Sequence, residues 1–234
     1  MSDSTPVDAP AARAAALLAD RTRVAILLTL GDGRPRPAGE LARRARVTPQ
    51  TASGHLVRLL DAGLLAVERA GRRRYFRLAD PEQVITLIEG LAVLVPPAPA
   101  PARAERAFAA SPLRRGRTCY DHLAGVLGVA LADACTERGW LALDGRHYAL
   151  SAAGEAAFAD LGVDVDGARR SRRVFARACL DWSERRCHLA GALGAALCAR
   201  LFAAEWLARA DGRAVQVTPA GRRLLRRHFG VVTY

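Results

Sequence analysis

The chain has 234 residues, 51% of them hydrophobic, so it can bury the core of one large domain or of two modest domains. All 35 basic residues are arginine, and with 23 acidic residues the formal net charge is +12. Arginine without lysine is typical of a GC-rich genome, and the excess of positive charge also fits the binding of a polyanion. Five irregularly spaced cysteines, no long apolar window and no secretory signal exclude a secreted disulfide framework and a membrane protein. We therefore expect a cytoplasmic protein with reduced thiols and no membrane partner.

The N-terminal part begins with residues 1–10, which are polar and contain proline, and we expect them to form a disordered tail. Residues 11–30 have the apolar content of one helix, or of two helices with a break near Asp20. Residues 31–37 are expected to form a loop. A short helix is predicted over residues 38–44, followed by a tight turn.

A second helix is predicted over residues 48–62, where apolar and polar side chains separate onto two faces. Thr48 supplies an N-cap, Pro49 occupies the first helical position, where its missing N–H costs nothing, and Gly63 ends the helix. The apolar face recurs at helical spacing and consists of Ala52, Leu56, Leu59, Leu60 and Leu64. The opposite face offers the hydrogen-bonding groups and charge that a helix in a DNA major groove needs, and consists of Gln50, Thr51, Gly54, His55 and Arg58.

A β-hairpin is predicted directly after this helix. Its strands are expected over residues 64–68 and 75–78, with the cationic run 69–74 between them. A hairpin with such a cationic tip, a wing, is suited to contact the phosphate backbone or the minor groove of DNA. The residues expected to make these contacts are Arg72, Arg73 and Arg74.

Three segments carry a resemblance to a known family: LADRTRVAILLTL (18–30), ELARRARVTPQTASGHLVRLLDAGLL (40–65) and GRRRYFRL (71–78). Over roughly residues 12–92 the chain resembles the winged helix-turn-helix of ArsR/SmtB-type bacterial repressors. The resemblance implies a homodimer that binds a palindromic operator in double-stranded DNA and releases it when an effector arrives. On this basis the helix of residues 48–62 reads the groove, and its expected contact residues are Thr48, Gln50, Thr51, Ser53, His55 and Arg58.

A helix is also predicted after the wing, with Asp80 as its N-cap. The resemblance implies that this helix joins the first helix in the dimer interface. The proline-rich run 95–101 cannot continue a helix and favours an extended conformation. We therefore place the winged helix-turn-helix domain at residues 11–95, a linker at 96–101 and a second domain at 102–234.

The second half contains an internal repeat. RTCYD (117–121) recurs as RACLD (177–181), HLAGVLGVAL (122–131) as HLAGALGAAL (188–197), and GRHYALSAAG (145–154) as GRAVQVTPAG (212–221). Each copy, about 117–162 and 177–230, is expected to run helix, hairpin, helix, with His-Leu-Ala-Gly at the start of the first helix. The predicted fold is therefore mainly α with small β-hairpin wings: a winged helix-turn-helix and then two degenerate winged-helix-like repeats about a pseudo-two-fold, forming a regulatory domain.

The sequence gives little support to catalysis. It contains no glycine-rich phosphate loop, no His-Glu-x-x-His and no Gly-x-Ser-x-Gly. A cysteine beside a histidine is easy to find in a chain with five of each, so a thiol enzyme is only a remote alternative. We expect a DNA-binding transcriptional regulator, most simply a repressor, and not an enzyme.

Metal sensing is the sharper alternative for the effector. In metal-responsive members of the resembling family the ligands lie on the helix-turn-helix or on the helix after the wing, and those ligands are missing here. Candidate ligands for Zn, Cd or Pb occur instead in the repeats: Cys119, Asp121 and His122 in one copy, and Cys179, Asp181, Cys187 and His188 in the other. Cys-x-x-His on a helix would place both side chains on one face. Buried core cysteines and helix-capping aspartates explain the same residues equally well.

An insertion in the second copy, residues 182–187, adds polar and aromatic side chains. Trp182, Arg185 and Arg186, with His188, are able to clamp an anionic or aromatic ligand, or they form an ordinary salt-bridged loop. A pseudo-two-fold would bring equivalent helix starts together, and helix N-termini favour an anion or a thiolate. We expect an effector site there, formed by Cys119, His122, Cys179 and His188, with Trp182, Arg185 and Arg186 along one wall. A metal sensor, a thiol-redox sensor and a small organic effector stay open.

Overall fold

The computed structural model describes residues 9–94 and 101–232. The chain forms two compact units, Met1–Ile88 and Glu89–Tyr234. The division falls inside a helix, ahead of the proline-rich run, of which residues 95–100 lie outside the described residues. Across the described parts of the chain, no helix is both long enough and apolar enough to cross a membrane.

The N-terminal unit begins with two helices separated at Asp20, as predicted. The Asp20 carboxylate caps the second helix by accepting hydrogen bonds from the N–H groups of Thr22 and Arg23, both at 2.9 Å. The elements are α1 (Ala9–Leu18), α2 (Arg21–Leu30), β1 (Arg36–Pro37), α3 (Ala38–Ala45), α4 (Pro49–Asp61), β2 (Leu65–Ala70), β3 (Arg73–Leu78) and α5 (Pro81–Leu94).

Two predictions for this unit need correction. Residues 9 and 10 start α1 and do not belong to a disordered tail, while residues 1–8 lie outside the described residues. The expected loop 31–37 contains a short strand, because β1 pairs with β3 and completes a three-stranded antiparallel sheet of order β1-β3-β2. The core of the unit is formed by fully or almost fully buried side chains, among them Ile26, Leu27, Leu41, Leu59 and Ile85.

The C-terminal unit alternates helices with short hairpins. Its elements are α6 (Ala102–Ala109), α7 (Pro112–Arg115), β4 (Arg117–Cys119), β5 (His122–Ala124), α8 (Gly125–Glu137), β6 (Leu141–Asp144), β7 (His147–Leu150), α9 (Ala152–Asp160), α10 (Val165–Arg170), β8 (Arg177–Leu180), β9 (Cys187–Ala190), α11 (Gly191–Ala203), β10 (Leu207–Arg209), β11 (Val215–Val217) and α12 (Pro219–Phe229). Both copies of the repeat therefore run hairpin, helix, hairpin, helix.

The start of each repeat differs from the prediction. The residues His-Leu-Ala form a strand, β5 or β9, and the long helix begins only at the following glycine. Gly125 and Gly191 have φ of 73° and 77°, and a Cβ on either would lie 2.5 Å from a backbone carbonyl oxygen. Only glycine fits this conformation, so the strand turns sharply into the helix at each of these positions.

The two copies pack reciprocally within this unit. A Cβ on Gly128 of α8 would lie 3.6 Å from the His188 Cβ of β9, and a Cβ on Gly194 of α11 would lie 3.4 Å from the His122 Cβ of β5. Each copy's long helix thus lies against the other copy's first hairpin, as a pseudo-two-fold requires. A Cβ at Gly128 or Gly194 would also lie 2.4 Å from the carbonyl oxygen of Leu123 or Leu189 of its own copy, so each helix needs glycine to pack against its own hairpin.

Candidate DNA-binding surface and Cys–His cluster

The helix α4 presents one polar face to solvent. Gln50, Thr51, Ser53 and Arg58 are exposed. On the opposite face Ala52, Leu56 and Leu59 are buried, whereas Leu60 and Leu64 are partly buried. Thr48 is the N-cap, and its Oγ1 accepts a hydrogen bond from the N–H of Thr51 at 3.1 Å. The face carries amide, hydroxyl and guanidinium groups, which suit base edges and phosphates in a major groove.

His55 departs from the predicted groove-reading set. Its side chain is only 13% exposed, and its Nδ1 lies 3.9 Å from Oδ1 of Asp20, the cap of α2. The backbone N–H of Arg23, together with the nearby His55 and other groups, holds the pKa of Asp20 below its usual value. His55 therefore lies against the helix junction of its own unit, with little of its side chain exposed, and its role in reading bases stays a prediction.

The wing is longer and more tightly turned than predicted. Strands β2 and β3 extend to Ala70 and Arg73, so the turn consists of Gly71 and Arg72 alone, and Gly71 has a positive φ of 59°. Arg73 and Arg74 lie in β3, not in the tip, and all three predicted wing arginines are exposed. Arg69, which the sequence analysis did not single out, stands directly opposite Arg74 across the strands. Like charges at opposed positions are unfavourable unless an anion lies between them.

A Cys–His cluster, formed by Cys119, His122, Cys179 and His188, lies where the two copies of the repeat meet. Their ligand atoms all lie within 4.8 Å of one another. The residues are placed by cross-strand pairing, Cys119 opposite His122 and Cys179 opposite His188, and not by helical spacing as predicted. All four are buried, with exposures of 0%, 1%, 8% and 0% in chain order.

Two thiols and two imidazoles are a ligand set that a tetrahedral zinc ion takes. Zinc bound by thiolates at about 2.3 Å and imidazoles at about 2.0 Å would place ligand atoms about 3.3–3.8 Å apart, slightly closer than they lie here. The Nε2 atoms of His122 and His188 are buried and have no hydrogen-bond partner among the described residues. A buried polar atom without a partner is costly, and a bound metal would satisfy both nitrogens.

Each imidazole has an aspartate on its other side. Nδ1 of His122 lies 3.4 Å from Oδ1 of Asp121, and Nδ1 of His188 lies 3.3 Å from Oδ2 of Asp181, although alignment at His188 is too poor for a well-formed hydrogen bond. A carboxylate behind the imidazole fixes the ring and its tautomer in many metal sites. The two aspartates, predicted as ligands or helix caps, lie instead behind His122 and His188 in the structure.

The cluster also favours a thiolate. A hydrogen bond from Cys119, with further contacts from both histidines, holds the pKa of Cys179 far below its ordinary value. The same hydrogen bond, together with burial, raises the pKa of Cys119. Burial alone would lower the pKa of His188, but Asp181 and Cys179 raise it to about 8. The contacts within the cluster thus favour a thiolate at Cys179 and a thiol at Cys119.

The two aspartates differ in their surroundings. Asp181 is fully buried, and its carboxylate accepts hydrogen bonds from the N–H of Gly125 at 2.7 Å and from Arg117 at 3.0 and 3.1 Å. Burial acts to raise the pKa of Asp181, yet His188, Arg117 and the Gly125 N–H keep it well below its usual range. Asp121 lies near the surface and pairs with Arg173 at 2.5 Å.

The predicted ligand clamp in the insertion does not form a wall of the cluster. The ring of Trp182 lies 5.4 Å from that of Phe108 and has the guanidinium of Arg117 4.8 Å above it. Arg186 is exposed and forms an ion pair with Asp133 at 2.7 Å. Arg185 is exposed and donates a hydrogen bond to the carbonyl oxygen of Val93 in α5. The structure thus assigns these three side chains to other contacts.

Comparison with known proteins agrees with this description. A family model described as a helix-turn-helix domain matches residues 18–68. The uncharacterized HTH-type transcriptional regulator YdfF of Bacillus subtilis (strain 168) is 44% identical over 221 residues, which make up 94% of this chain and 97% of the relative.

Two solved structures are also similar to part of the chain. The homodimeric winged helix-turn-helix DNA-binding domain of Mb0332 from Mycobacterium bovis, a possible ArsR-family regulator, is 30% identical and covers 40% of this chain and 89% of its own, with a TM-score of 0.33. The cadmium sensor CmtR from Mycobacterium tuberculosis is 35% identical, and the match covers 39% of this chain and 95% of CmtR, with a TM-score of 0.31. The long match to YdfF, together with the domain match, shows that this chain belongs to the helix-turn-helix transcriptional regulators.

Proposed function

We propose that the chain is a homodimeric repressor that binds an inverted-repeat operator and releases it when a thiophilic divalent metal occupies the Cys–His cluster. The observation that carries the proposal is the buried cluster itself, in which two thiols and two unpartnered imidazole nitrogens converge. It lies in the same chain as a helix-turn-helix with a free polar face. A DNA-binding regulator of this kind would act in the cytoplasm, where its operator lies.

DNA binding would use α4 in the major groove and the wing beside it. Gln50, Thr51, Ser53 and Arg58 are the base-reading candidates, with Thr48 at the helix N-terminus facing phosphate. The arginines of the wing, Arg69 included, supply a positive surface for the backbone. A two-fold dimer places two such helices about one turn of DNA apart, so the operator should be an inverted repeat.

Dimerisation is supported by an apolar stripe on α5. Leu87, Leu91 and Leu94 are 45%, 40% and 76% exposed, at spacings that keep them on one helix face. Large exposed aliphatic side chains in a continuous row mark an interaction surface more often than isolated ones do. A second copy of the chain is the partner that the resemblance of this domain predicts.

The metal class follows from the ligands. Thiolates and neutral imidazoles together suit Zn, Cd or Pb, whereas hard cations such as Mg and Ca prefer oxygen ligands. Four protein ligands in a buried site leave no open position for substrate, which is typical of a structural or regulatory metal site. A thiol-redox sensor would use the two cysteines alone and would leave the convergence of both imidazoles unexplained.

The test uses the reduced, metal-free, full-length protein and an operator found by binding-site selection. Cd should bind with one ion per chain, produce sulfur-to-metal charge-transfer absorption and weaken operator binding. Cys119→Ser with Cys179→Ser should abolish both responses. Cys187→Ser is the matched control, because Cys187 precedes His188 but lies outside the cluster, and it should respond like the wild type.

Three outcomes would contradict the proposal. Wild-type protein that binds no metal, or that binds it without any change in operator affinity, would exclude a metal sensor. A double variant that still responds would mean that the cysteines are core residues. Release of the operator by hydrogen peroxide, with no effect of metal, would favour the thiol-redox alternative.

A further inference from the structure

Two buried chains of contacts lead from the Cys–His cluster to one carboxylate on α5, that of Glu89. The first starts at His188, whose Nδ1 lies 3.3 Å from Asp181. Asp181 in turn accepts hydrogen bonds from Arg117 at 3.0 and 3.1 Å. The same terminal nitrogen of Arg117 lies 3.5 Å from Oε2 of Glu89.

The second chain starts at the other side of the cluster, next to Cys119. The carbonyl oxygen of Thr118 accepts a hydrogen bond from Nη1 of Arg213 at 3.3 Å, and the N–H of Thr118 donates to the carbonyl oxygen of Arg213 at 2.9 Å. Nη1 of Arg213 also donates to Oε1 of Glu89 at 2.9 Å. One oxygen of the Glu89 carboxylate therefore contacts Arg117 and the other contacts Arg213. The two series of contacts begin beside different residues of the cluster.

The network is buried throughout. Glu89 is 2% exposed, Arg117 and Asp181 are fully buried, and Arg213 is 8% exposed. Apolar side chains of the same volume would stabilise a core at least as well as buried ion pairs do, since the desolvation of charges offsets much of their attraction. Stability alone therefore does not account for four charged side chains in this position, and a role in specifying one conformation becomes the better explanation.

The network is also one-sided, although the repeat is symmetric in sequence. The equivalent of Asp181 in the first copy is Asp121, which pairs with the partly exposed Arg173 at the surface. Among the described residues, only Asp181 of these two aspartates connects to α5, through Arg117 and Glu89. Duplication supplied two similar hairpins, and α5 contacts the charges of one of them.

We propose that Glu89 is the positioning residue through which occupancy of the Cys–His cluster changes the conformation of α5, and with it operator affinity. This inference rests on the proposed metal-sensing function. Ligand atoms spread over as much as 4.8 Å must close to about 3.3–3.8 Å around a tetrahedral ion. The closure draws in β4 and β9, which carry Thr118 and His188, and so displaces the two arginines that hold Glu89. Glu89 lies in α5, the helix that begins directly after the wing at Pro81.

The test compares full-length wild type with Glu89→Gln, which keeps the side-chain volume and removes the charge. Cd affinity of the variant should stay within about twofold of wild type. The effect of Cd on operator affinity, expected in the range of about 5–150-fold for a coupling of this kind, should fall below about twofold. Because linkage is reciprocal, operator DNA should also cease to change Cd affinity in the variant. Glu89→Asp should restore part of the coupling.

Glu155→Gln provides the matched control, since it removes a carboxylate from an exposed ion pair with Arg169 in the same unit. It should keep the full metal response. If Glu89→Gln does not fold, Arg213→Gln removes one of the two contacts to the carboxylate and should lower the response. A full response in Glu89→Gln or in Arg213→Gln would overturn the inference. A wild-type protein that lacks the response would instead refute the proposed function, so the two failures are distinguishable.

Discussion

The wing offers the most quantitative prediction, because its arginines are exposed and the contribution to DNA binding that we propose for it is electrostatic. Replacing Arg72 and Arg73 by alanine removes the charge at the turn and at the start of β3. Neither side chain forms an ion pair with another described residue, so its loss should leave the fold of the unit intact. Each phosphate contact contributes about 0.9 to the slope of log K against log salt concentration.

If both arginines contact phosphate, the double variant should lower the magnitude of the slope by about 1.8. Over a fourfold change in salt, such as 50 to 200 mM, this slope difference corresponds to a factor of about 12 in affinity, so the variant's deficit is largest at low salt. The deficit should be the same for the operator and for a scrambled duplex, because phosphate contacts carry no sequence information. Fluorescence anisotropy with both duplexes over a salt series measures each quantity.

The control is Arg226→Ala with Arg227→Ala, an adjacent exposed arginine pair on α12 that gives the same change in net charge. It should leave the slope close to that of the wild type. An unchanged slope in the wing variant would refute wing contact with DNA. An equal loss in the control would mean that overall charge, and not the position of the wing, determines the salt dependence.

Two further predictions concern base reading and dimerisation. Gln50→Ala with Thr51→Ala should relax the operator consensus at the contacted base pairs, because each good base contact is worth about 1–3 kcal/mol of discrimination. Binding-site selection measures the consensus, and a wild-type consensus from the double variant would contradict this role for α4. Leu91→Glu places a charge in the exposed stripe of α5 and should shift full-length protein from dimer to monomer in analytical ultracentrifugation at micromolar concentration. Val57→Glu, on a residue that is 52% exposed outside this stripe, is the control, and equal dissociation in both variants would argue against an interface at α5.

Local signals in the sequence were sufficient to predict the N-terminal unit. The Asp20 cap, Thr48 with Pro49, and the helical spacing of Ala52 and its partners each act over a few residues, and the structure has a helix boundary or a buried face at each. Caps are reliable signals because they satisfy backbone N–H groups that have no partner within their own helix. Helical spacing is reliable because it decides which side chains share one face. The side chain of His55 was misplaced, since its burial depends on how α4 packs near the cap of α2 and not on its helical position.

The repeat carried information of a second kind. Alignment of the two copies of the repeat pairs Cys119 with Cys179 and His122 with His188. The expected symmetry of the copies was enough to place these four residues in one site. The secondary structure around them was predicted incorrectly as helix, because His-Leu-Ala precedes an alanine-rich helical run. The strand-to-helix turn depends on the positive φ of Gly125 and Gly191, where close approach of another backbone segment excludes any Cβ.

The sequence itself determined the helix α4, the wing and the pairing of the cluster residues. Each of these depends on local backbone chemistry or on the identity between the two copies of the repeat. The aspartates behind the histidines, the buried contacts of Arg117 and Arg213, and the convergence of both on Glu89 were decided only by the tertiary structure. Glu89 and Arg213 are separated by 124 residues along the chain. No periodicity or motif signals an ion pair over such a separation, because it exists only once the folded core has removed both charges from water.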